Sequence, residues 1–97
     1  MTIDRKFEIA AKNPVNGKTY THKDSLLLCA KDRAVPAALR TYKEECVKLG
    51  SNPEHVESID LLIARVEQYQ KDIESKIPDT LGAELERCIG GVGVESE

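Results

Sequence analysis

The chain has 97 residues, of which 40% are hydrophobic and 32% charged, with a formal net charge of −3 and no tryptophan. A chain of this length builds one small domain whose core must be mostly aliphatic. No apolar run has the length of a signal peptide or reaches the roughly 18 residues of a membrane span, which predicts a cytoplasmic protein with no membrane partner.

The N-terminal segment has the pattern of a β-hairpin over 6–21. Apolar and polar residues alternate from Lys6 to Ala11, and Lys18–Thr21 provides a return strand with β-branched and aromatic side chains. Between them, Asn16-Gly17 can take the positive φ angles of a tight turn. Because an isolated hairpin is marginal in water, we expect it to pack on helices.

A short first helix is predicted over about 22–32. Thr21 followed three residues later by Asp24 resembles a capping signal, and the apolar run Leu26–Cys29 comes directly after it. Pro36 disfavours helix at the residue before it, so this helix should stop near Arg33. On this interpretation Leu26–Cys29 belongs to the core.

Two longer helices follow, over about 35–49 and 53–76. In the second helix apolar residues recur at spacings of four and three, and Gly50 is suited to end it. Asn52-Pro53 is a typical start for the third helix. The short connection predicts an antiparallel helical hairpin. The apolar positions of these two helices are Val35, Leu39, Tyr42, Cys46, Leu49, Val56, Ile59, Ile63, Val66, Tyr69, Ile73 and Ile77.

Residues 79–97 are predicted to form a short amphipathic segment and a flexible acidic tail. Asp79 can cap a last short helix with Leu81, Leu85, Cys88 and Ile89 on one face, and GGVGVESE follows. The sequence as a whole predicts an α+β, predominantly helical fold. A β-hairpin packs on a short helix and a long antiparallel helical hairpin within a single domain of 1–78, and a weakly ordered C-terminal segment follows.

No residue pattern points to catalysis, a metal or a cofactor. The three cysteines, Cys29, Cys46 and Cys88, are widely spaced without a C-x-x-C, which favours reduced thiols. Cys29 and Cys46 lie in apolar runs and are interpreted as core residues, whereas Cys88 should be the more exposed. The glycines near the C-terminus lack the GK[ST] ending of a phosphate loop.

The sequence therefore favours a small non-catalytic interaction or accessory protein that associates with a protein partner or with a second copy of itself. Self-association is expected through the long third helix, whose length exceeds that of its own core. The candidate interaction face comprises Tyr69, Ile73, Ile77, Leu81, Leu85 and Ile89.

Two other functions remain open. Residues 1–48 carry 10 Lys and Arg against 6 Asp and Glu, and residues 49–97 carry 4 against 11. A nucleic-acid-binding module would use the basic hairpin, with Tyr20 able to stack on a base. A thiol-dependent redox protein would use Cys88 or Cys46. The candidate anion-binding residues are Arg5, Lys6, Lys12, Lys18 and Lys23.

Overall fold

The computed structural model describes the backbone of residues 2–95 and the side chains of residues 2–88. Its elements are two strands and three helices, which confirms a mixed fold with more helix than strand. In chain order they are β1 (Ala10–Lys12), β2 (Thr19–Thr21), α1 (Val35–Lys48), α2 (Pro53–Asp72) and α3 (Gly82–Glu95).

The chain forms two compact units. One contains the residues up to 27 together with those from 79 onward, and the other is the continuous segment 28–78. In this division the first 27 residues group with the segment from 79 onward. The single domain of 1–78 followed by a separate segment of 79–97 stays a prediction.

The hairpin of the first unit is present, with shorter strands than the sequence predicts. β1 and β2 pair antiparallel, with Ala11 opposite Tyr20, and all six strand residues are exposed. Gly17 has the predicted positive φ of 75° and is the only residue of the loop that does, so Asn16 does not share the left-handed conformation. The strands therefore form a ladder without burying either face.

The predicted first helix over 22–32 is wrong. Thr21–Asp24 is a single turn, and no regular structure follows over 25–29. The Asp24 carboxylate accepts a hydrogen bond from the Thr21 backbone N–H at 3.0 Å, the local bond that the capping signal predicts, but no helix follows it. The Leu27 backbone N–H donates to the Asp4 carboxylate at 2.7 Å, so it is not available to a helix. Leu26, Leu27 and Leu28 are exposed rather than part of a core.

A buried carboxylate organises the N-terminal segment of the first unit. Asp4 is only 4% exposed and accepts hydrogen bonds from the backbone N–H groups of Lys6 at 2.8 Å, Phe7 at 2.6 Å and Leu27 at 2.7 Å. Burial alone would raise the pKa of Asp4. The three N–H donors and the nearby charge of Arg5 outweigh burial, and the pKa lies below its ordinary value of 3.8.

In the second unit, α1 ends as the sequence predicts. Gly50 has a φ of 79°, its N–H donates to the Val47 carbonyl at 3.1 Å, and the Ser51 N–H donates to the Cys46 carbonyl at 2.9 Å. These two bonds form a Schellman motif, in which a left-handed residue closes the last turn. Glycine fits there because it has no Cβ to strain.

α2 begins where the sequence places it and ends earlier. The Asn52 side chain accepts the His55 N–H at 2.8 Å, with Pro53 at the first helical position. The helix ends at Asp72 rather than Lys76 because the Lys76 N–H donates to the Lys31 carbonyl at 2.8 Å instead of bonding within the helix. α2 is thus about 30 Å long at 1.5 Å per residue.

The core of the second unit is small and aliphatic. It lies between α1 and α2, and both helices contribute to it through one face each, as their apolar spacing predicts. Leu39 packs against it from the side. The buried hydrophobic residues are Val35, Cys46, Ile59, Ile63 and Val66.

A polar contact that the sequence does not reveal joins the start of the second unit to its end. Asp32 and Lys76 form an isolated parallel bridge, and the Arg33 N–H donates to the Lys76 carbonyl at 3.0 Å. The Gln70 side-chain amide donates to the carbonyls of Ala30 at 2.9 Å and Asp32 at 2.7 Å. These bonds hold the segment before α1 beside the segment after α2.

The C-terminal segment is more helical than the sequence predicts. α3 starts at Gly82, and the Leu81 N–H donates to the Glu84 carboxylate at 2.8 Å, a bond that completes the helix start. Its backbone is helical to Glu95 through the glycines that the sequence assigned to a flexible tail. The side chain of Ile89 lies outside the described residues.

Candidate functional site

The helical hairpin of the second unit has two flanks that differ in chemistry. On α2, Ile59, Ile63 and Val66 are buried against α1. Since a helix turns about 100° per residue, Asp60 lies on one flank of this buried stripe and Leu62 on the other. The side chains that line each flank determine which interactions that flank can make.

One flank, which we call the ion-paired flank, is closed by charge pairs between the helices. Lys43 Nζ lies 2.7 Å from Asp60 Oδ1, and Arg40 Nη2 donates to Glu67 Oε2 at 2.8 Å. The four side chains are about half exposed, so each pair contributes little to stability. A groove on this flank is lined by these charged side chains together with Val47, Ile63 and Ala64, and Val47 is 58% exposed.

The other flank, which we call the apolar flank, consists of Tyr42 of α1 with Leu62 and Tyr69 of α2. Leu62 and Tyr69 are seven residues apart, two turns of helix, and each follows a buried residue by three. Tyr42 is 51% exposed, Leu62 is 45% exposed and Tyr69 is partly buried. Among the described residues no ion pair joins the two helices on this flank. Both helices contribute uncovered apolar side chains to this flank.

A thiol, a phenol and an imidazole meet at the turn end of the apolar flank. The Tyr42 hydroxyl lies 3.4 Å from His55 Nε2, and the two rings pack edge to face with centroids 6.1 Å apart. A hydrogen bond with the Cys46 side chain raises the pKa of Tyr42.

This cluster has little capacity for chemistry of its own. Cys46 is buried, as predicted, so a reagent in solution cannot reach its sulfur readily. A zinc site needs about four converging ligands. Within the described residues no group of three or more His, Cys, Asp or Glu side chains could hold a metal ion. We therefore interpret the cluster as part of a surface rather than as a reactive centre.

The predicted interaction face is divided by the structure. Tyr69 lies on α2, but Ile73 is the residue that caps its end and Ile77 lies in the extended segment beyond, so no single helix carries all three. Leu81 and Leu85 belong to the other compact unit. Each of these aliphatic side chains is more than half exposed. Ile73 adjoins the apolar flank along the chain, and whether any of the six residues contacts a partner stays a prediction.

The predicted basic cluster is also divided. Lys6 is engaged within the first unit, where its Nζ donates to the Asp79 carbonyl at 2.8 Å and lies 3.6 Å from Glu84 Oε1. Arg87 donates to the Lys6 carbonyl at 2.9 Å, which fixes the same contact from α3. These contacts link residues far apart in sequence, so no local sequence pattern predicts them.

The lysines of the hairpin lie in different parts of it. Lys12 is in β1, directly opposite Thr19, whereas Lys18 precedes β2. Lys23 follows in the turn after β2, and its side chain is exposed. The anion-binding hypothesis for Arg5, Lys12, Lys18 and Lys23 stays a prediction.

The cysteines are free thiols. Cys29, predicted to lie in a core helix, is partly buried in an irregular segment, and Cys88 is also partly buried. No described helix has both the length and the hydropathy needed to cross a membrane. Comparison with protein-family models, with curated proteins and with solved structures finds no match for this chain.

Proposed function

We propose that the protein is a small non-catalytic interaction protein that self-associates through α2 of its helical hairpin. The observation that carries the proposal is the difference between the two flanks of the hairpin. Ion pairs join the helices on one flank, while the other flank leaves Tyr42 and Leu62 exposed and Tyr69 partly exposed.

The width of the apolar stripe on α2 supports this proposal. A helix that packs against a single neighbour buries a narrow seam, whereas the helices of a four-helix bundle each carry a broader stripe that contacts two neighbours. α2 uses Ile59, Ile63 and Val66 against α1, and it still exposes Leu62 beside them. The exposed edge is suited to a second helix.

A second copy of this chain is the partner we propose. Two identical hairpins related by a twofold axis bury the same patch on both sides, which is the commonest arrangement in soluble oligomers. Tyr42 places an aromatic side chain on the same flank of α1, so both helices of each hairpin contribute to the patch. Four helices would then enclose one continuous aliphatic core.

The test is the concentration dependence of the mass of the full chain, measured by sedimentation, for the wild type and for Leu62→Glu. Burying a leucine fully contributes about 1.5–3 kcal/mol, and roughly half of that remains available at Leu62 because it is 45% exposed. In a twofold interface each copy contributes its own Leu62, so the loss of binding free energy is doubled. We therefore expect Leu62→Glu to weaken the dimer about 10- to 100-fold.

Leu61→Glu is the matched control. Leu61 adjoins Leu62 in sequence and is 52% exposed, but it points about 100° further round the helix, away from the apolar flank. This variant should keep the wild-type dissociation constant, and circular dichroism should show equal helix content in both variants. A wild-type chain that is monomeric at all concentrations, or equal weakening by both variants, would refute the proposal.

A further inference from the structure

We propose that Asn16 in the hairpin loop is a site of spontaneous deamidation in the folded protein, independent of the proposed self-association. The chain has three asparagines, and each precedes a residue that decides its reactivity. Asn13 and Asn52 precede Pro14 and Pro53, whose nitrogens carry no hydrogen. Asn16 alone precedes a residue with a backbone N–H, and that residue is a glycine without a side chain to obstruct attack.

The reaction needs only water. The Gly17 backbone nitrogen attacks Asn16 Cγ, a new N–Cγ bond forms, and the Cγ–Nδ2 bond breaks. Nδ2 leaves as ammonia with the proton from the Gly17 N–H. Water then opens the resulting succinimide ring. Cleavage of the new N–Cγ bond leaves aspartate, and cleavage of the original peptide bond leaves isoaspartate, with the backbone running through Cβ.

The loop exposes both reacting residues and places a hydrogen-bond donor on the Asn16 side chain. Asn16 and Gly17 are both exposed. The Lys18 backbone N–H donates to Asn16 Oδ1 at 2.9 Å. A donor at this oxygen stabilises the negative charge that develops there as the nitrogen attacks, in the manner of an oxyanion hole.

One bond of the loop opposes the reaction. The Gly17 N–H donates to the Asn13 carbonyl at 2.8 Å, so this hydrogen bond must open before the nitrogen can attack. The loop closes a ladder of two three-residue strands whose residues are all exposed. Exposed ladders without buried contacts open locally at low cost. We therefore expect the folded protein to react, at a lower rate than the denatured chain.

The product changes the charge of the hairpin. Aspartate or isoaspartate at position 16 adds one negative charge beside Lys18. Isoaspartate also lengthens the loop backbone by one methylene group. Both products thereby lower the positive charge of the hairpin, on which the anion-binding hypothesis depends.

The experiment incubates the full chain at neutral and mildly alkaline pH, folded and in denaturant, and follows tryptic peptides by mass spectrometry. Trypsin cleaves after Lys12 and Lys18, so one peptide contains both Asn13 and Asn16, and fragmentation assigns the site. The expected result is a growing fraction of that peptide with the amide nitrogen replaced by oxygen at Asn16, part of it labelled by an isoaspartyl methyltransferase.

Two comparisons make the result decisive. The Asn16→Gln variant should leave the peptide unmodified over the same time, and the peptide that contains Asn52 should stay unmodified in the wild type. Modification of the denatured chain but not of the folded one would show that the loop protects Asn16. Equal modification at Asn13 or Asn52 would show direct hydrolysis instead of the succinimide route. Either result would overturn the proposal.

Discussion

Replacing Asp4 by alanine should destabilise the first unit more than any other single loss of an acidic side chain there. Its carboxylate satisfies the backbone N–H groups of Lys6, Phe7 and Leu27, at distances of 2.6–2.8 Å. The bond to Leu27 joins positions 23 residues apart in sequence. Alanine removes both carboxylate oxygens, so all three hydrogen bonds are lost and these N–H groups must bond to water instead.

The magnitude follows from the number and type of these bonds. A hydrogen bond to a charged group contributes about 1.5–3 kcal/mol net when its loss leaves a buried partner unsatisfied. The donors here are only partly buried, so water can replace some of the lost interaction. We expect a total loss of roughly 2–4 kcal/mol. Asp4→Asn, which keeps the shape and one oxygen acceptor, should lose less.

The assay is amide hydrogen exchange resolved by residue, combined with denaturant unfolding. The Lys6, Phe7 and Leu27 amides should lose protection in Asp4→Ala. Asp24→Ala is the control because the Asp24 carboxylate also accepts a backbone N–H, from Thr21 at 3.0 Å, but at an exposed position. The reasoning is refuted if Leu27 keeps its protection in Asp4→Ala, or if the two alanine variants lose the same free energy.

Two further predictions concern acid and the start of α2. Because the pKa of Asp4 is lower in the folded chain than its ordinary value of 3.8, its contribution to stability is complete above 3.8 and is lost as the pH falls through the folded value. Acid titration followed by circular dichroism should show this loss in the wild type, and Asp4→Asn should show a smaller one. Asn52→Ala removes the acceptor of the His55 N–H and should cost about 1 kcal/mol in denaturant unfolding. Asn52→Asp should retain most of that stability, and equal losses in the two variants would contradict the capping role.

Several elements follow from the sequence because their causes are local. Asn52-Pro53 fixes the start of α2, and Gly50 ends α1 in the left-handed conformation that only glycine adopts without strain. The spacing of apolar residues identified the buried positions Cys46, Ile59 and Ile63. Residues within one or two helical turns of each other determine these features, so they can be predicted without knowledge of the tertiary fold.

The candidate site was only partly predictable. Helical periodicity placed Tyr69 on the apolar stripe of α2. It could not show which flank is covered by ion pairs, because the Arg40–Glu67 pair forms between helices. The expectation that Ile73 and Ile77 continue the same helix was wrong because Lys76 pairs with the distant Lys31 carbonyl.

The sequence by itself determined the hairpin, α1, the start of α2 and most of the helical core. Only the tertiary structure decided that Leu26–Cys29 is not a helix, since the Leu27 N–H is taken by a carboxylate 23 residues earlier. It likewise decided the end of α2 and the division into two units. The physical reason is the same in each case: where a backbone N–H can reach a distant acceptor, long-range hydrogen bonds override local helix propensity.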